Sequence, residues 1–245
     1  MFDPFGDFET RGYLRNIERI KDLDILKRLE HVFFESNIEK ALRYLSNVKG
    51  HIRYEDFLSV HKILFEEFYP WAGQDRHTLN VARLVSKGGA IQFEASELCR
   101  RAVEWGLEMG NDIQIIRARP GEIMGAFAWG HPFLDGNGRT MLLIHSELCR
   151  RAGFSIDWIN SNKSSYLTAL TYELDNPAGK HLDSYLIPLI CQTASYDDLL
   201  NRLLDMPGLD GQGNNSAADI SYKADDQAAI MAYEEAKRSR GEYTN

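Results

Sequence analysis

The nine residues from His131 to Arg139, HPFLDGNGR, place an imidazole, a carboxylate, two glycines and a guanidinium in one short stretch. Pro132 disfavours the helical region for the residue before it, so we expect the preceding helix to end there, with the imidazole projecting from an extended residue. Gly136 and Gly138 can adopt positive φ without a Cβ clash, and a helical pattern begins near Arg139. The stretch therefore predicts a loop that leads into a helix N-terminus.

Such a loop has the properties of an anion-binding site. A helix N-terminus presents free backbone N–H groups and the positive end of the helix dipole. Arg139 adds a planar set of donors suited to phosphate oxygens, and Asp135 is suited to hold Mg²⁺ against a polyphosphate. With His131 as a base, we predict a base, a metal ligand and a phosphate cradle side by side. The residues alone leave open a non-functional alternative, in which His131 is a surface histidine beside an ordinary turn.

Three other loop types do not match. Counted from Asp135, an EF-hand would need Gly at the sixth position and Glu at the twelfth, which are Thr140 and Ser146 here. The Gly-Lys-Ser/Thr of a Walker A loop is absent. A zinc pair of His131 and Asp135 would require a continuous helix between them, which Pro132 and the glycines interrupt.

HPFLDGNGR resembles the signature of the Fic family, His-x-Phe-x-Asp/Glu-Gly-Asn-Gly-Arg-x-x-Arg. The segment from His61 to Arg76, with YPWAG at 69–73, resembles the family's upstream sequence, and the resemblance covers roughly residues 50–190. It implies a mostly α fold, a Fic-type helical bundle with one β-hairpin flap. It also implies a protein adenylyltransferase that moves AMP from ATP onto a Tyr, Ser or Thr hydroxyl of a target protein.

The resemblance further implies a role for each motif residue. His131 would be the base that deprotonates the target hydroxyl, and Asp135 would bind Mg²⁺ that bridges the phosphates of ATP. Phe133 would anchor the loop in the core, and Gly136 and Gly138 would supply backbone donors to the phosphates. Asn137 would bind the α-phosphate and Arg139 the next phosphate. In the upstream segment we expect His61 to be structural and Arg76 to pair with a carboxylate or a carbonyl.

One departure from the signature is Leu142, which occupies the position of the second arginine. In the family that arginine reaches the terminal phosphate and is engaged by an inhibitory glutamate. Other donors, UTP, GTP or a nucleotide diester, therefore stay open beside ATP. The inhibitory motif is also absent, since Gly or Asn follows Glu nowhere in the chain. We expect either a separate antitoxin-like inhibitor protein or no inhibitor. A non-catalytic scaffold that binds nucleotide or protein is the alternative of a different class.

The composition of the chain limits the kinds of partner that we expect it to bind. The 245 residues are 44% hydrophobic, with a net charge of −8 and no dense Lys/Arg run, so we expect nucleotide and protein partners rather than nucleic acid. The three cysteines lack CxxC grouping, which is typical of free thiols in a reducing compartment. A secretory signal and an apolar run of 18 residues are both absent, so we expect no membrane contact and a cytoplasmic location. That cytoplasm would belong to the producer for a toxin, or to a host for a secreted effector.

The remaining elements are expected to position this loop. Residues 1–16 predict an irregular arm. Periodicity predicts one or two helices over 17–47, with Ser36 or Asn37 as the candidate break, and further helices over 54–68, 95–109, 120 to the motif, 139–152, 163–176 and 182–204, the last broken near Pro188. Residues 78–93 predict a β-hairpin whose turn, Ser86, Lys87, Gly88 and Gly89, corresponds to the family's target-binding flap. We expect a Fic-type domain with an N-terminal helical arm over 1–205, and a linker with a C-terminal tail or short helix over 206–245.

Overall fold

The periodic segments form α-helices along most of the chain. The computed structural model describes residues 2–81, 83–88, 91–207, 209, 220–222 and 226–240. Within these residues the α-helices are α1 (Phe8–Arg11), α2 (Leu23–Asn47), α3 (Tyr54–Phe65), α4 (Cys99–Asn111), α5 (Ile113–Ala118), α6 (Pro120–Gly130), α7 (Asn137–Arg151), α8 (Lys163–Asp175), α9 (His181–Leu186), α10 (Tyr196–Leu204) and α11 (Gln227–Arg240). The expectation of a mostly α fold is confirmed.

The strands are short and form two small sheets. They are β1 (Val85–Lys87), β2 (Ile91–Gln92), β3 (Ser155–Ile156), β4 (Ile190–Cys191) and β5 (Ile220–Tyr222). All pairs are antiparallel, with the order β2-β1-β5 in one sheet and β3-β4 in the other. The β1–β2 hairpin lies within the predicted range 78–93, but the predicted turn is wrong in part, since Ser86 and Lys87 belong to strand β1. Strand β5 and the β3–β4 pair were not predicted.

Helix α2 is continuous, so of the two predicted alternatives the single helix is confirmed and neither Ser36 nor Asn37 breaks it. The Ser36 hydroxyl donates to the carbonyl of Val32 at 2.8 Å, and the Asn37 amide donates to that of Phe33 at 3.0 Å. Each polar side chain therefore bonds to the preceding turn instead of competing with the helix. The helix begins at a regular cap, where Asp22 accepts two backbone N–H groups.

Helices α6 and α7 carry the motif and form the centre of the fold. Every residue of α6 is buried, and α7 is buried along most of its length. Glycines allow α6 to approach its neighbours closely, since a Cβ at Gly125 would lie 2.7 Å from the side chain of Glu173. The loop between α6 and α7 is thus held between two rigid elements. Within the described ranges, no helix combines the length and apolarity that a bilayer crossing requires.

Candidate active site

The motif loop begins at His131, which ends α6. The residue lies in the left-handed region, with φ 39° and ψ 55°, and its N–H donates to the carbonyl of Phe127 at 3.3 Å. The prediction that the helix ends before Pro132 is confirmed, but the prediction of an extended conformation at His131 is wrong. Proline disfavours the right-handed helical region for the residue before it, and the left-handed conformation of His131 keeps the hydrogen bond that caps α6.

Arg76 holds this left-handed turn in place. Its Nε–H donates to the carbonyl of His131 at 2.7 Å, and its backbone N–H donates to that of Pro132, also at 2.7 Å. A terminal nitrogen of the same guanidinium donates to the carbonyl of Glu94 at 2.7 Å. Arg76 is fully buried, so it links the loop to the end of the flap, and it binds carbonyls as one of the two predicted alternatives.

The imidazole of His131 packs against the flap. Its ring stacks on that of Phe93, with the ring centres 3.8 Å apart. Burial lowers the pKa of His131 to about 3, and the positive charges of Arg76 and Lys87 act in the same direction. The carboxylate of Asp135 offsets only part of this shift. The imidazole is therefore neutral at pH 7, which is the form that can accept a proton.

Beneath His131, the loop is closed by Asn137 and Phe133. The Asn137 amide accepts from the Phe133 N–H at 2.9 Å and donates to the Phe133 carbonyl at 2.8 Å. The Phe133 ring is completely buried and stacks on His61 with the ring centres 3.7 Å apart. Phe133 therefore anchors the loop as expected, and Asn137 clamps it.

His61 supports the loop from below. Its Nδ1 accepts from the Gly73 N–H at 2.9 Å, so Nε2 carries the proton and donates to the carbonyl of Asp135 at 3.0 Å. Burial lowers the pKa of His61 to about 3, which keeps this ring neutral. The expectation of a structural, hydrogen-bonded histidine is confirmed.

The two motif glycines, Gly136 and Gly138, differ in backbone conformation and in packing. Gly136 has φ 76° and is the N-cap of α7, and a Cβ added there would lie 2.5 Å from the Phe65 ring. Gly138 lies in the first turn of α7 outside the positive-φ region, and a Cβ there would meet no heavy atom within 4 Å. Backbone conformation and packing therefore require glycine at 136 only. The open space at Gly138 leaves the helix N-terminus accessible to a ligand.

Beside the helix N-terminus lies a network of four charged side chains. Lys27 of α2 bonds to the carboxylate of Asp135 and lies 3.2 Å from that of Glu30. Arg139 lies 2.9 Å from Glu30 and 3.5 Å from Asp135. The Tyr69 hydroxyl donates to Glu30 at 3.0 Å. Two cations thus balance two carboxylates in a largely buried setting.

This balance determines the charge state of Asp135. Burial alone would raise the pKa of the carboxyl, but the attraction of Lys27 and Arg139 outweighs it and brings the pKa to about 2. Burial likewise opposes the charge of Lys27, whose pKa is nevertheless raised by Asp135 and Glu30. Asp135 is therefore a carboxylate at all physiological pH values.

These donors fit Mg²⁺ under one condition. Mg²⁺ prefers oxygen ligands and is commonly held by one or two carboxylates together with substrate phosphates. Asp135 supplies such a carboxylate beside the N-terminus of α7, but Lys27 must move from it. In the part of the chain that is described, no group of three or more His, Cys, Asp or Glu residues is arranged to hold a metal.

The predicted hairpin lies beside His131. Ser86 and Lys87 belong to β1, and Gly88 follows with φ 59°. Gly89, the fourth residue of the predicted turn, lies outside the described residues. The charge of Lys87 acts on the His131 imidazole, and Phe93 carries the hairpin into contact with the same ring. Base and flap are therefore neighbours.

Comparison with known proteins agrees with this geometry. Residues 51–149 match the model of the Fic/DOC family. Protein adenylyltransferase VbhT of Bartonella schoenbuchensis is 31% identical over 159 residues, which cover 64% of this chain and 32% of VbhT. The chain contains a Fic/DOC-family domain.

Other proteins similar to the Fic domain support the same fold. The probable protein adenylyltransferase y4lH of Sinorhizobium fredii is 25% identical over 177 residues, 64% of this chain and 81% of y4lH. The structure of BepC from Bartonella tribocorum with bound AMPPNP has a TM-score of 0.57 at 18% identity, covering 73% of this chain and 92% of that chain. The N-terminal Fic domain of a Bartonella quintana cell filamentation protein with bound ADP has the same TM-score at 21% identity, covering 77% and 95%. The chain spans about a third of the length of VbhT.

Two residues of the candidate site were missed by sequence reasoning. Lys27 and Glu30 contact the motif from α2, more than 100 residues earlier in the chain, and belong to neither matched segment. The only feature that could have indicated them is a charged residue next to a buried one on α2, Lys27 beside Leu26 and Glu30 beside His31. Leu142, the departure from the signature, is itself 5% exposed in α7 and so belongs to the core.

Proposed function

We propose that this Fic domain is a protein adenylyltransferase, which transfers AMP from ATP to a hydroxyl side chain of a target protein. The observation that carries the proposal is the placement of the neutral His131 imidazole beside an accessible helix N-terminus that begins at Asn137. A base and an anion site in one loop suit attack of a hydroxyl on a phosphate. The adenylyltransferase names of VbhT and y4lH support the same activity.

In the proposed reaction His131 takes the proton of the target hydroxyl. The hydroxyl oxygen then forms a bond to the α-phosphorus of ATP, the bond between that phosphorus and the bridging oxygen breaks, and pyrophosphate leaves. The burial that keeps His131 neutral also makes it a weak base, and the negative charge of bound phosphates would raise its pKa toward the working range.

The remaining loop residues would hold the nucleotide. The backbone N–H groups at Gly136 and Gly138 and the guanidinium of Arg139 are the phosphate donors, and Asn137 would reach the α-phosphate from its clamp on the loop. Mg²⁺ held by Asp135 would neutralise phosphate charge. The flap, Ser86 to Gly89, would hold the target beside His131 through backbone pairing.

His131→Ala tests the proposal. A positioned base contributes typically ~10²- to 10⁴-fold, so transfer of label from ATP labelled at the α-phosphate should fall by that factor, with ATP binding retained. His77→Ala is the control, because His77 is exposed on the surface. Transfer by the His131 variant above a tenth of the wild-type rate would remove His131 from the mechanism.

A second candidate keeps the reaction but changes the donor. Leu142 is buried, so α7 offers no cation at the position where the signature has its second arginine. UTP, GTP or a nucleotide diester would then be the donor, and labelling by one of them far above ATP would replace AMP transfer. A separate inhibitor protein and a toxin or effector role stay predictions.

A further inference from the structure

The outer edge of the flap is occupied by the chain itself. Strand β5 pairs antiparallel with β1, with Tyr222 opposite Val85, Ser221 opposite Ser86, and Ile220 opposite Lys87. On its other side β1 pairs with β2, so β1 is the central strand of this sheet. The edge that a hairpin alone would leave open is thereby closed.

The hydrogen-bond pattern identifies which residues of β1 and β5 bond to each other at this edge. The Phe93 N–H donates to the carbonyl of Val85 at 3.1 Å, so Val85 directs its backbone polar groups toward β2. Successive residues of a strand direct these groups to opposite sides, so Ser86 directs its N–H and C=O toward β5. Ser221 lies opposite on that side. Ser86 and Ser221 are therefore the pair that exchanges backbone hydrogen bonds.

On the β2 side the chain runs directly into the helical body. Immediately after Phe93, the Glu94 N–H donates to the carbonyl of Trp129 at 2.9 Å, and the Glu94 carbonyl accepts from Arg76. The hairpin therefore joins the helical body on that side. The outer edge of β1, where Ser221 already lies, is therefore the edge at which we expect an extended segment to add to the flap.

Helix α11 fastens β5 to the same region. The buried Tyr233 hydroxyl donates to the carboxylate of Glu94, which also accepts from the Trp129 indole N–H at 3.2 Å. The guanidinium of Arg240 lies 4.6 Å from the centre of the Trp129 ring and donates to the carbonyl of Leu174 at 3.3 Å. The C-terminal segment is thus anchored on residues that adjoin both the flap and the helix bearing His131.

We propose that strand β5, fastened by helix α11, competes with the target protein for the outer edge of β1. This inference rests on the proposed function, in which a target hydroxyl is held beside His131 by pairing with the flap. One strand edge cannot pair with two segments at once, so a target must displace β5. The segment restrains transfer by occupying the target's place, while the nucleotide site at the N-terminus of α7 stays open.

The test compares Ser221→Pro with Ser221→Ala in the full chain. Proline removes the N–H that bonds to Ser86, whereas alanine keeps it, so the pair isolates the backbone bond from the loss of the hydroxyl. Loss of one such bond should raise amide hydrogen exchange at Ser86 by about threefold to tenfold in the proline variant. Tyr233→Phe, which keeps the ring and removes the bond to Glu94, should act in the same direction.

The activity readout is label transfer from ATP labelled at the α-phosphate to proteins of a cell lysate. We expect transfer by the Ser221→Pro variant to exceed that of Ser221→Ala by a similar factor, with equal affinity for ADP. Equal exchange at Ser86 in both variants would overturn the pairing. Equal transfer despite faster exchange would overturn the competition alone. Absence of transfer by all variants and by the wild type would overturn the proposed function and the competition together.

Discussion

Gly136 and Gly138 should respond in opposite ways to the same substitution, Gly→Ala. At Gly136 the new side chain would have to adopt φ 76° and would lie 2.5 Å from the Phe65 ring. The left-handed conformation costs roughly 1–2 kcal/mol for a residue with a Cβ. Displacing a packed ring typically costs about 1–3 kcal/mol. We therefore expect Gly136→Ala to lower the free energy of unfolding by about 2–5 kcal/mol.

Gly138→Ala should stabilise the fold and weaken nucleotide binding. The position is helical and its surroundings are open, so alanine should gain about 0.5–1 kcal/mol over glycine. The added methyl group would occupy the space through which phosphates approach the N-terminus of α7. We expect the dissociation constant for ADP to rise about tenfold, which corresponds to about 1.4 kcal/mol.

Gly50→Ala is the matched control for the backbone contribution. Gly50 has φ 72°, but a Cβ there would meet no heavy atom within 4 Å. It should show only the conformational cost, and the excess at Gly136 then measures the overlap with Phe65. Urea unfolding and calorimetric titration with ADP give the two quantities for each variant. Wild-type stability in Gly136→Ala would refute the loop conformation, and wild-type ADP affinity in Gly138→Ala would refute the anion site at this helix end.

Three further substitutions or conditions test the surroundings of the loop. Burial lowers the pKa of His61 to about 3 and that of His145 to about 4, so between pH 6.5 and 5 only the unfolded chain takes up these protons. The free energy of unfolding should fall by roughly 2 kcal/mol for each histidine as the pH drops to 5, and urea titrations that show no loss would contradict this. Lys27→Met removes the cation that pairs with Asp135 and should cost about 1–3 kcal/mol, less than for a fully buried pair since both side chains are partly exposed. Leu142 is buried, so Leu142→Arg should lower the free energy of unfolding by more than about 2 kcal/mol, whereas Leu142→Met should cost less than about 1.5 kcal/mol. Thermal unfolding measures both, and an arginine variant of wild-type stability would contradict the burial of this position.

The sequence predicts the loop well where local chemistry decides. Pro132 is sufficient to end α6 before it, and the glycine at 136 takes the positive φ that only glycine adopts freely. The hairpin and most helices follow from periodicity. These features depend on residues that are neighbours in the chain, so no tertiary contact was needed to predict them.

Features that depend on distant contacts could not be predicted. Proline leaves both the extended and the left-handed regions open to His131, and the choice is stabilised by Arg76 and Phe93, which come from another part of the chain. Strands β3 and β4 have two residues each, which is too short for an alternating hydrophobic pattern to be recognised in the sequence. Strand β5 is similarly short, and its partner β1 lies far earlier in the chain.

The charge network explains why the motif alone is an incomplete description of this site. The cations Lys27 and Arg139 are paired with the carboxylates Asp135 and Glu30. An arriving polyphosphate cannot simply add to free positive charge. It must draw Arg139 from Glu30 and Lys27 from Asp135, and each exchange leaves a carboxylate that needs a new partner in a poorly solvated place. For Asp135 the new partner would be the divalent cation that accompanies the nucleotide, and for Glu30 the Tyr69 hydroxyl already provides one hydrogen bond. Nucleotide affinity in this chain should therefore depend on α2 as much as on the signature, and more steeply on Mg²⁺ than a site with unpaired cations would require.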